Sequence, residues 1–176
     1  MMRTVRVRQA VADDIPELVR LRALLFEDLG GEFFNPSSAD GDWRHSLAAV
    51  LKEQMVSDTV RILVVDGEYP YADADADADA VDRTGGPLAA CAIGTIEQRL
   101  PGPHLRNGRT GQVLGVVTDP EHRRRGHSRA LMQGLLNWFR EREAARVDLY
   151  ASAEGEPLYR ALGFDDLPDP ALYWRP

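Results

Sequence analysis

Hydrophobic residues along this chain recur with two different periods, and the alternation between the two periods predicts a mixed α/β fold. Period-two or continuous apolar runs predict strands, whereas apolar residues spaced three and four apart predict helices. The predicted strands lie at residues 5–9, 60–65, 88–96, 111–118, 147–151 and 171–174. The predicted helices run from Asp13 or Asp14 to Gly30-Gly31, and over 43–56, 128–142 and 156–162. This order is typical of a sheet of about six strands with helices on both faces.

Length and composition favour a single cytoplasmic domain spanning residues 1–176. The chain has 176 residues, 44% of them hydrophobic and 28% charged, as in ordinary globular domains. The longest apolar run, 88–93, is far shorter than the ~18 residues that a membrane span needs, and the first six residues hold no apolar leader core. The chain has a single cysteine, Cys91, which excludes an intramolecular disulfide and a cysteine-based zinc cluster. We predict no metal site. We interpret Cys91 as a core residue.

The acidic charge is concentrated in one segment. The formal net charge is −7, and residues 66–83 carry seven acidic residues against one arginine. At its centre, 72–80 repeats Ala-Asp four times, which predicts a solvated loop inserted between the second and third strands. A calcium site is the alternative, but the glycine turn and terminal glutamate of an EF-hand are missing. The net acidity argues against nucleic-acid and anionic-membrane partners.

The segment around Gly126 holds the clearest chemical signal. A predicted strand ends near Pro120, three consecutive arginines follow, and Gly126 opens an amphipathic helix. Free backbone N–H groups and the positive end of the helix dipole suit a phosphate or pyrophosphate there. The alternative is an exposed basic turn before an ordinary helix. The segment does not match the P-loop or dinucleotide-binding patterns.

Two spaced motifs resemble the GNAT family of N-acetyltransferases. Arg123-Arg124-Arg125-Gly126-His127-Ser128 resembles the family signature Arg/Gln-x-x-Gly-x-Gly/Ala, with Ser128 departing from it. Leu158-Tyr159-Arg160-Ala161-Leu162-Gly163-Phe164 resembles the family's Leu-Tyr-x-x-x-Gly-Phe, and Ser152 replaces an asparagine often found before it. The resemblance implies a GNAT fold: a mixed, mostly antiparallel sheet of six to seven strands, with strands four and five splayed to admit acyl-CoA.

The resemblance also implies acetyl-CoA as acyl donor and assigns its binding residues. It implies that the pyrophosphate lies on the loop and that the pantetheine arm pairs with Val116 and Thr118. A backbone N–H at Val117 or Thr118 is expected to polarise the thioester carbonyl. The implied donor-binding residues are Val116, Val117, Thr118, Arg123, Arg124, Arg125, Gly126, His127, Ser128, Arg129 and Ser152.

Tyr159 matches the family's general acid, which protonates the departing CoA thiolate. The alternative is that Tyr159 only packs under the sheet. The general base stays unassigned, because Gln112 stands where histone acetyltransferases of this family have a glutamate and an amide cannot accept a proton. Glu97 acting through water is one candidate, and Tyr150 and His122 are weaker ones.

The predicted activity is transfer of an acetyl group to a primary amine of a small molecule or peptide, by direct attack in a ternary complex. The resemblance places the acceptor near segments 29–43 and 98–110. The first offers Glu32, Phe33, Phe34, Asp40, Asp42 and Trp43, and the second Arg99, His104, Arg106 and Arg109. A catalytically weak CoA-binding sensor with the same fold is the alternative, and a nucleic-acid binder is a third. A homodimer stays open.

Overall fold

A five-stranded sheet with helices on both faces forms the framework of the molecule. The computed structural model describes residues 4–37, 41–68 and 85–176. The strands are β1 (Arg8–Gln9), β2 (Val60–Asp66), β3 (Leu88–Gln98), β4 (Arg109–Thr118) and β5 (Arg146–Asp148). The helices are α1 (Ile15–Leu29), α2 (Gly31–Phe34), α3 (Trp43–Gln54), α4 (His127–Glu141) and α5 (Glu156–Ala161). The strands follow one another in chain order, antiparallel except for the parallel pair β4–β5, which confirms the predicted α/β class.

The last predicted strand is wrong. Residues 171–174 are not a strand, and the side chains of Leu172, Tyr173 and Trp174 are exposed. Tyr173 instead packs edge-on against Phe33, with 4.9 Å between ring centroids, so this segment contacts α2 rather than the sheet. The helix α2 itself lies where sequence patterning indicates only a loop. The Ala-Asp repeat at 72–80 lies outside the described residues.

Asp14 occupies the N-cap position of α1, but its side chain forms hydrogen bonds elsewhere. Its carboxylate is fully buried and makes no capping bond to α1; it accepts hydrogen bonds from both terminal nitrogens of Arg8, at 2.7 and 2.9 Å, and from the Val11 amide. Burial opposes ionisation of Asp14, but these hydrogen bonds outweigh it and lower its pKa. The pair fixes the start of α1 against the first strand.

The two faces of the sheet carry separate apolar clusters. On one face α4 packs through Leu131, Leu135 and Phe139, all almost fully buried. The ring of Phe139 lies directly over Gly94 and Gly111, where any Cβ would collide with it. On the other face α1 and α3 cover Val64, Cys91 and their neighbours. None of the helices in the described ranges is both long and apolar enough to cross a membrane.

The strands β4 and β5 part after a short stretch of pairing. They pair only from Thr110 to Gln112, so within the described residues β4 has no strand beside it on that edge from Val113 to Thr118. This confirms the splayed pair of strands four and five.

A bulge interrupts β4 inside the unpaired stretch. Cys91 pairs with Val117 and Ile93 with Leu114, so β4 holds one residue more than β3 between these pairs. Gly115 has φ +58°, a conformation that side chains other than glycine's rarely adopt. Leu114 packs in the α1 cluster, and the missing Cβ of Gly115 points at Arg22 of α1. Two successive residues of β4 therefore face α1.

The contact of Phe139 with Gly111 yields a stability prediction. In Gly111→Ala the added Cβ would lie 2.5 Å from the Phe139 ring, so we expect a loss of about 1–3 kcal/mol in the free energy of unfolding, measured by urea denaturation. The control Gly41→Ala adds a methyl group in open space and should change the free energy of unfolding little.

Combining Gly111→Ala with Phe139→Leu should recover part of the loss, because the smaller side chain makes room for the methyl group. Strictly additive losses in the double variant would contradict the proposed collision.

Candidate active site

The loop between β4 and α4 leads into a helix start whose first backbone amides lack helical acceptors. A short 3-10 turn, Pro120–His122, leads into Arg124 at φ 64° and Gly126 at φ 81°, both left-handed. The Ala130 amide is the first to bond back within the helix, to the Gly126 carbonyl at 3.1 Å. The amides of the preceding first turn therefore have no helical acceptor and lie at the positive end of the helix dipole.

The arginines of this loop have different surroundings. Arg123 forms an ion pair with Asp28 of α1 and donates from Nε to the Thr118 carbonyl at 3.4 Å, so it ties the loop to α1. Arg125 lies 3.4 Å from the Glu68 carboxylate. Arg124 and Arg129 are exposed and have no carboxylate partner among the described residues. These two side chains are the ones available to an anion.

His127, the first residue of α4, carries an unsatisfied polar atom. Its Nδ1 is buried and has no hydrogen-bond partner within the described part of the chain. Burial lowers the pKa of His127, and the nearby His122 and Arg125 lower it further. In its neutral form His127 adds no positive charge to this site, so it contributes to anion binding only if Nδ1 carries the proton and donates a hydrogen bond.

Ser128 joins the end of β4 to the start of α4. Its Oγ lies 2.9 Å from Oγ1 of Thr118, within hydrogen-bond distance. The residue that departs from the family signature therefore fixes the helix start against the strand, which the sequence alone did not indicate.

Backbone direction along β4 distinguishes its candidate donor-binding residues. The Asp119 amide donates to the Ala89 carbonyl of β3 at 2.8 Å, and successive residues of an extended strand point their polar groups to opposite sides. The amides of Val116 and Thr118 therefore face the gap between β4 and β5, whereas that of Val117 faces β3. This favours Thr118 over Val117 as the donor to a carbonyl group in the gap.

Tyr159 lies on α5, with its phenol half-buried. Its ring packs edge-on against Phe164, 6.1 Å between centroids, and lines a cavity of about 760 Å³ beside β5. Burial raises the pKa of Tyr159, so the phenol holds its proton at neutral pH. Ser152 Oγ accepts from the Gly155 amide at 3.1 Å and so stabilises the turn into α5. Ser152 thus supports the helix that carries Tyr159.

The candidate bases do not all lie together. Glu97, Gln112 and Tyr150 line one cavity of about 410 Å³ at the start of the gap, whereas His122 lies in the 3-10 turn that precedes α4. Asp148 lines the same cavity, but Arg146 holds its carboxylate at 2.9 Å. Glu97 has no ion-pair partner in the described ranges, which leaves its carboxylate available to water or to an amine.

The acceptor segment after α1 carries an aromatic cluster. Phe26 stacks on Phe34 and meets Trp43 edge-on, and Phe33 contacts Phe34. Asp40 lies outside the described residues. From the second acceptor segment, Arg99 and His104 line a neighbouring cavity of about 410 Å³, while Arg109 donates to the Arg142 carbonyl at 3.0 Å. The exposed Arg106 lines none of these cavities.

Sequence reasoning missed Arg22, whose guanidinium lies beside the β4 bulge. The signal was present: Leu18, Leu21 and Leu25 mark the buried face of α1, and position 22 falls on the same face. An arginine on an apolar helix face needs an interaction partner that offsets its charge.

No group of three or more histidine, cysteine, aspartate or glutamate residues in the described part of the chain could hold a metal ion. Cys91 is buried, as predicted, and burial raises the pKa of its thiol to about 12. The described residues therefore supply neither a metal site nor a reactive cysteine to the candidate active site.

Known proteins with similar sequences are acetyltransferases. The family described as "Acetyltransferase (GNAT) family" matches residues 43–164. A mycothiol acetyltransferase from Clavibacter sepedonicus is 35% identical over 98 residues, which are 55% of this chain and 30% of that protein. The aligned part thus spans less than a third of this relative.

Solved structures show the same fold. A predicted acetyltransferase from Clostridium acetobutylicum, crystallised with acetyl-CoA, has a TM-score of 0.75 at 20% identity, covering 97% of this chain and 96% of its own. Glucosamine-6-phosphate N-acetyltransferase from Arabidopsis thaliana has a TM-score of 0.67 at 17% identity, covering 98% and 99%. The family match takes in β2 to α5 and the basic loop at α4. This chain belongs to the GNAT family of acetyltransferases, enzymes that take an acetyl group from acetyl-CoA.

Proposed function

We propose that this protein transfers the acetyl group of acetyl-CoA to a primary amine of a small molecule or peptide, by direct attack in a ternary complex. The proposal rests on one observation: the edge of β4 and the start of α4 adjoin and form one continuous groove. The unpaired edge of β4, from Val113 to Thr118, leads directly to the unpaired amides at the start of α4. One groove thus offers strand-like hydrogen bonds at one end and an anion-binding turn at the other.

Different residues along this groove bind different parts of the donor. The amides of His127, Ser128 and Arg129, with the side chains of Arg124 and Arg129, bind the pyrophosphate. The edge amides of Val116 and Thr118 bind the extended arm, and the Thr118 N–H polarises the acetyl carbonyl. Arg123, Thr118 Oγ1 and Ser128 Oγ keep the loop and strand in register.

Proton transfer needs an acid and a base. Tyr159, kept protonated by burial, supplies the proton to the departing thiolate. Glu97 takes the proton of the incoming amine through water, in the role that Gln112 cannot fill. The cavity shared by Glu97, Gln112 and Tyr150 supports this choice.

Donor binding predicts a thermal shift. Millimolar acetyl-CoA should raise the melting temperature of the wild-type protein, because a ligand of the folded state stabilises it. Arg124→Gln combined with Arg129→Gln should weaken acetyl-CoA binding by about three- to tenfold, since each exposed charge contributes modestly.

The exposed Arg106→Gln serves as the matched control and should bind acetyl-CoA like the wild type. S-acetylpantetheine lacks the pyrophosphate, so the double variant should use it as well as the wild type does. An unchanged melting temperature with acetyl-CoA in the wild type would overturn the proposed function.

The acid role of Tyr159 predicts a loss of turnover without a loss of donor binding. Tyr159→Phe should lower kcat on the order of 100-fold, while the acetyl-CoA thermal shift stays. Tyr173→Phe removes a phenolic hydroxyl on the ring that packs against Phe33, and should leave kcat unchanged.

The pH profile checks the same role. The acid works protonated and its pKa is raised, so the wild-type rate should not decline until the pH exceeds roughly 10. A wild-type rate that already falls between neutral pH and this value would assign the acid to another group.

The base role of Glu97 predicts a pH-dependent loss. Glu97→Gln should lower kcat/KM most at neutral pH, where the amine is protonated, and approach the wild type above the pKa of the amine, ~10.4 for an alkylamine. Gln98→Glu is the control, because residue 98 follows on the same strand but is not part of the cavity shared by Glu97, Gln112 and Tyr150. A loss that is equal at every pH would indicate a positioning role instead.

A further inference from the structure

A guanidinium lies beside the β4 bulge. Arg22 projects from α1, and its terminal nitrogen is 2.8 Å from the point that a Cβ on Gly115 would occupy. The side chain is half-buried, with the guanidinium 5.1 Å from the centroid of the Phe26 ring. Gly115 therefore leaves the space in which this cation lies.

The neighbouring arginine on the same helix shows what Arg22 lacks. Arg20 meets the Glu17 carboxylate at 2.8 Å and the Asp119 carboxylate at 2.6 Å. Arg22 has no carboxylate within ion-pair distance among the described residues. Burial lowers its pKa, because desolvation disfavours the charged guanidinium. A partly desolvated guanidinium of this kind would be stabilised by an anionic group of a bound ligand.

The position of Arg22 indicates which of the two substrates carries this anionic group. The bulge lies one residue before Val116 and three before Thr118, the strand edge assigned to the donor, so Gly115, which Arg22 contacts, lies about 10 Å from Thr118 at 3.3 Å per residue. Its other neighbour, Phe26, belongs to the aromatic cluster of the acceptor segment. The guanidinium thus lies between the donor groove and the acceptor side.

We propose that Arg22 binds a carboxylate or phosphate of the acceptor, which makes the acceptor class a short amine-bearing anion. The inference rests on the acetyl transfer proposed above. A guanidinium binds either oxyanion through two parallel hydrogen bonds, and the aromatic cluster covers the apolar part of the molecule. The short distance to the donor edge limits the spacer between amine and anion to a few bonds.

The test compares amines with and without an anionic group, with kcat/KM expressed per concentration of the unprotonated amine. The pairs are glycine with glycinamide, β-alanine with its amide, and 2-aminoethyl phosphate with 2-aminoethanol, assayed by thiol release. With the wild type, kcat/KM for at least one anionic member should exceed that of its neutral partner by about 10–100-fold. The carboxylate and phosphate pairs separate the two sources of the anion.

Arg22→Met should remove this preference while leaving kcat/KM for the neutral amines and the thermal shift with acetyl-CoA unchanged. Arg22→Lys, which keeps the charge, should retain part of the preference. Arg106→Met is the matched control, because Arg106 is an exposed cation of the other acceptor segment that lines none of the cavities described above. An unchanged preference in Arg22→Met, or its loss in Arg106→Met alone, overturns the inference.

Two further readouts keep the outcomes distinct. The melting temperature of Arg22→Met should stay equal or rise, because a half-buried charge without a carboxylate partner among the described residues is removed. A fall of several degrees would mark Arg22 as structural and overturn the inference. Probe binding to the CoA-bound protein is measured by thermal shift, independently of turnover. Stabilisation by the anionic member of a pair, lost in Arg22→Met, supports the inference even where no amine is acetylated; no difference overturns it, whereas absent turnover alone counts against the proposed function.

Discussion

The packing of α4 on two glycines of the sheet determines where the start of this helix lies relative to the end of β4. Because Gly94 and Gly111 lack side chains, the Phe139 ring rests directly on the backbone of β3 and β4. This close approach fixes the height of α4 above the sheet. The helix start therefore meets the end of β4, where the hydroxyls of Ser128 and Thr118 join the two elements. A bulkier residue at either glycine would lift the helix and separate the start of α4 from the strand edge.

The parts of the site that are contiguous in the chain could be predicted from sequence. The arginine-glycine turn and the Leu-Tyr motif each place their residues by local geometry, so their positions follow once the helix and strand are recognised. The splayed strands came from the family resemblance, because nothing in the apolar pattern of β4 shows which neighbour it lacks.

The remaining features depend on contacts between distant segments. Arg22 meets Gly115 across 93 positions in the chain, and the bulge that brings them together is visible only as a shift in strand register. Ser152 and Ser128 were judged as departures from a motif, whereas their hydroxyls accept or share hydrogen bonds in the turns they occupy. The strand at 171–174 was wrong for the same reason: its alternating pattern does not say that Tyr173 meets an aromatic ring on α2 instead of a strand edge.

The burial of Cys91 has a consequence for measuring this enzyme. It is the one cysteine in the chain, it lies under α1, and burial raises its pKa to about 12. Thiol reagents react with thiolates, which this residue does not form at ordinary assay pH. The folded protein is therefore silent in a thiol-release assay, and the full signal reports free CoA. The same residue becomes an unfolding probe in denaturant, because its labelling requires that α1 leave the sheet.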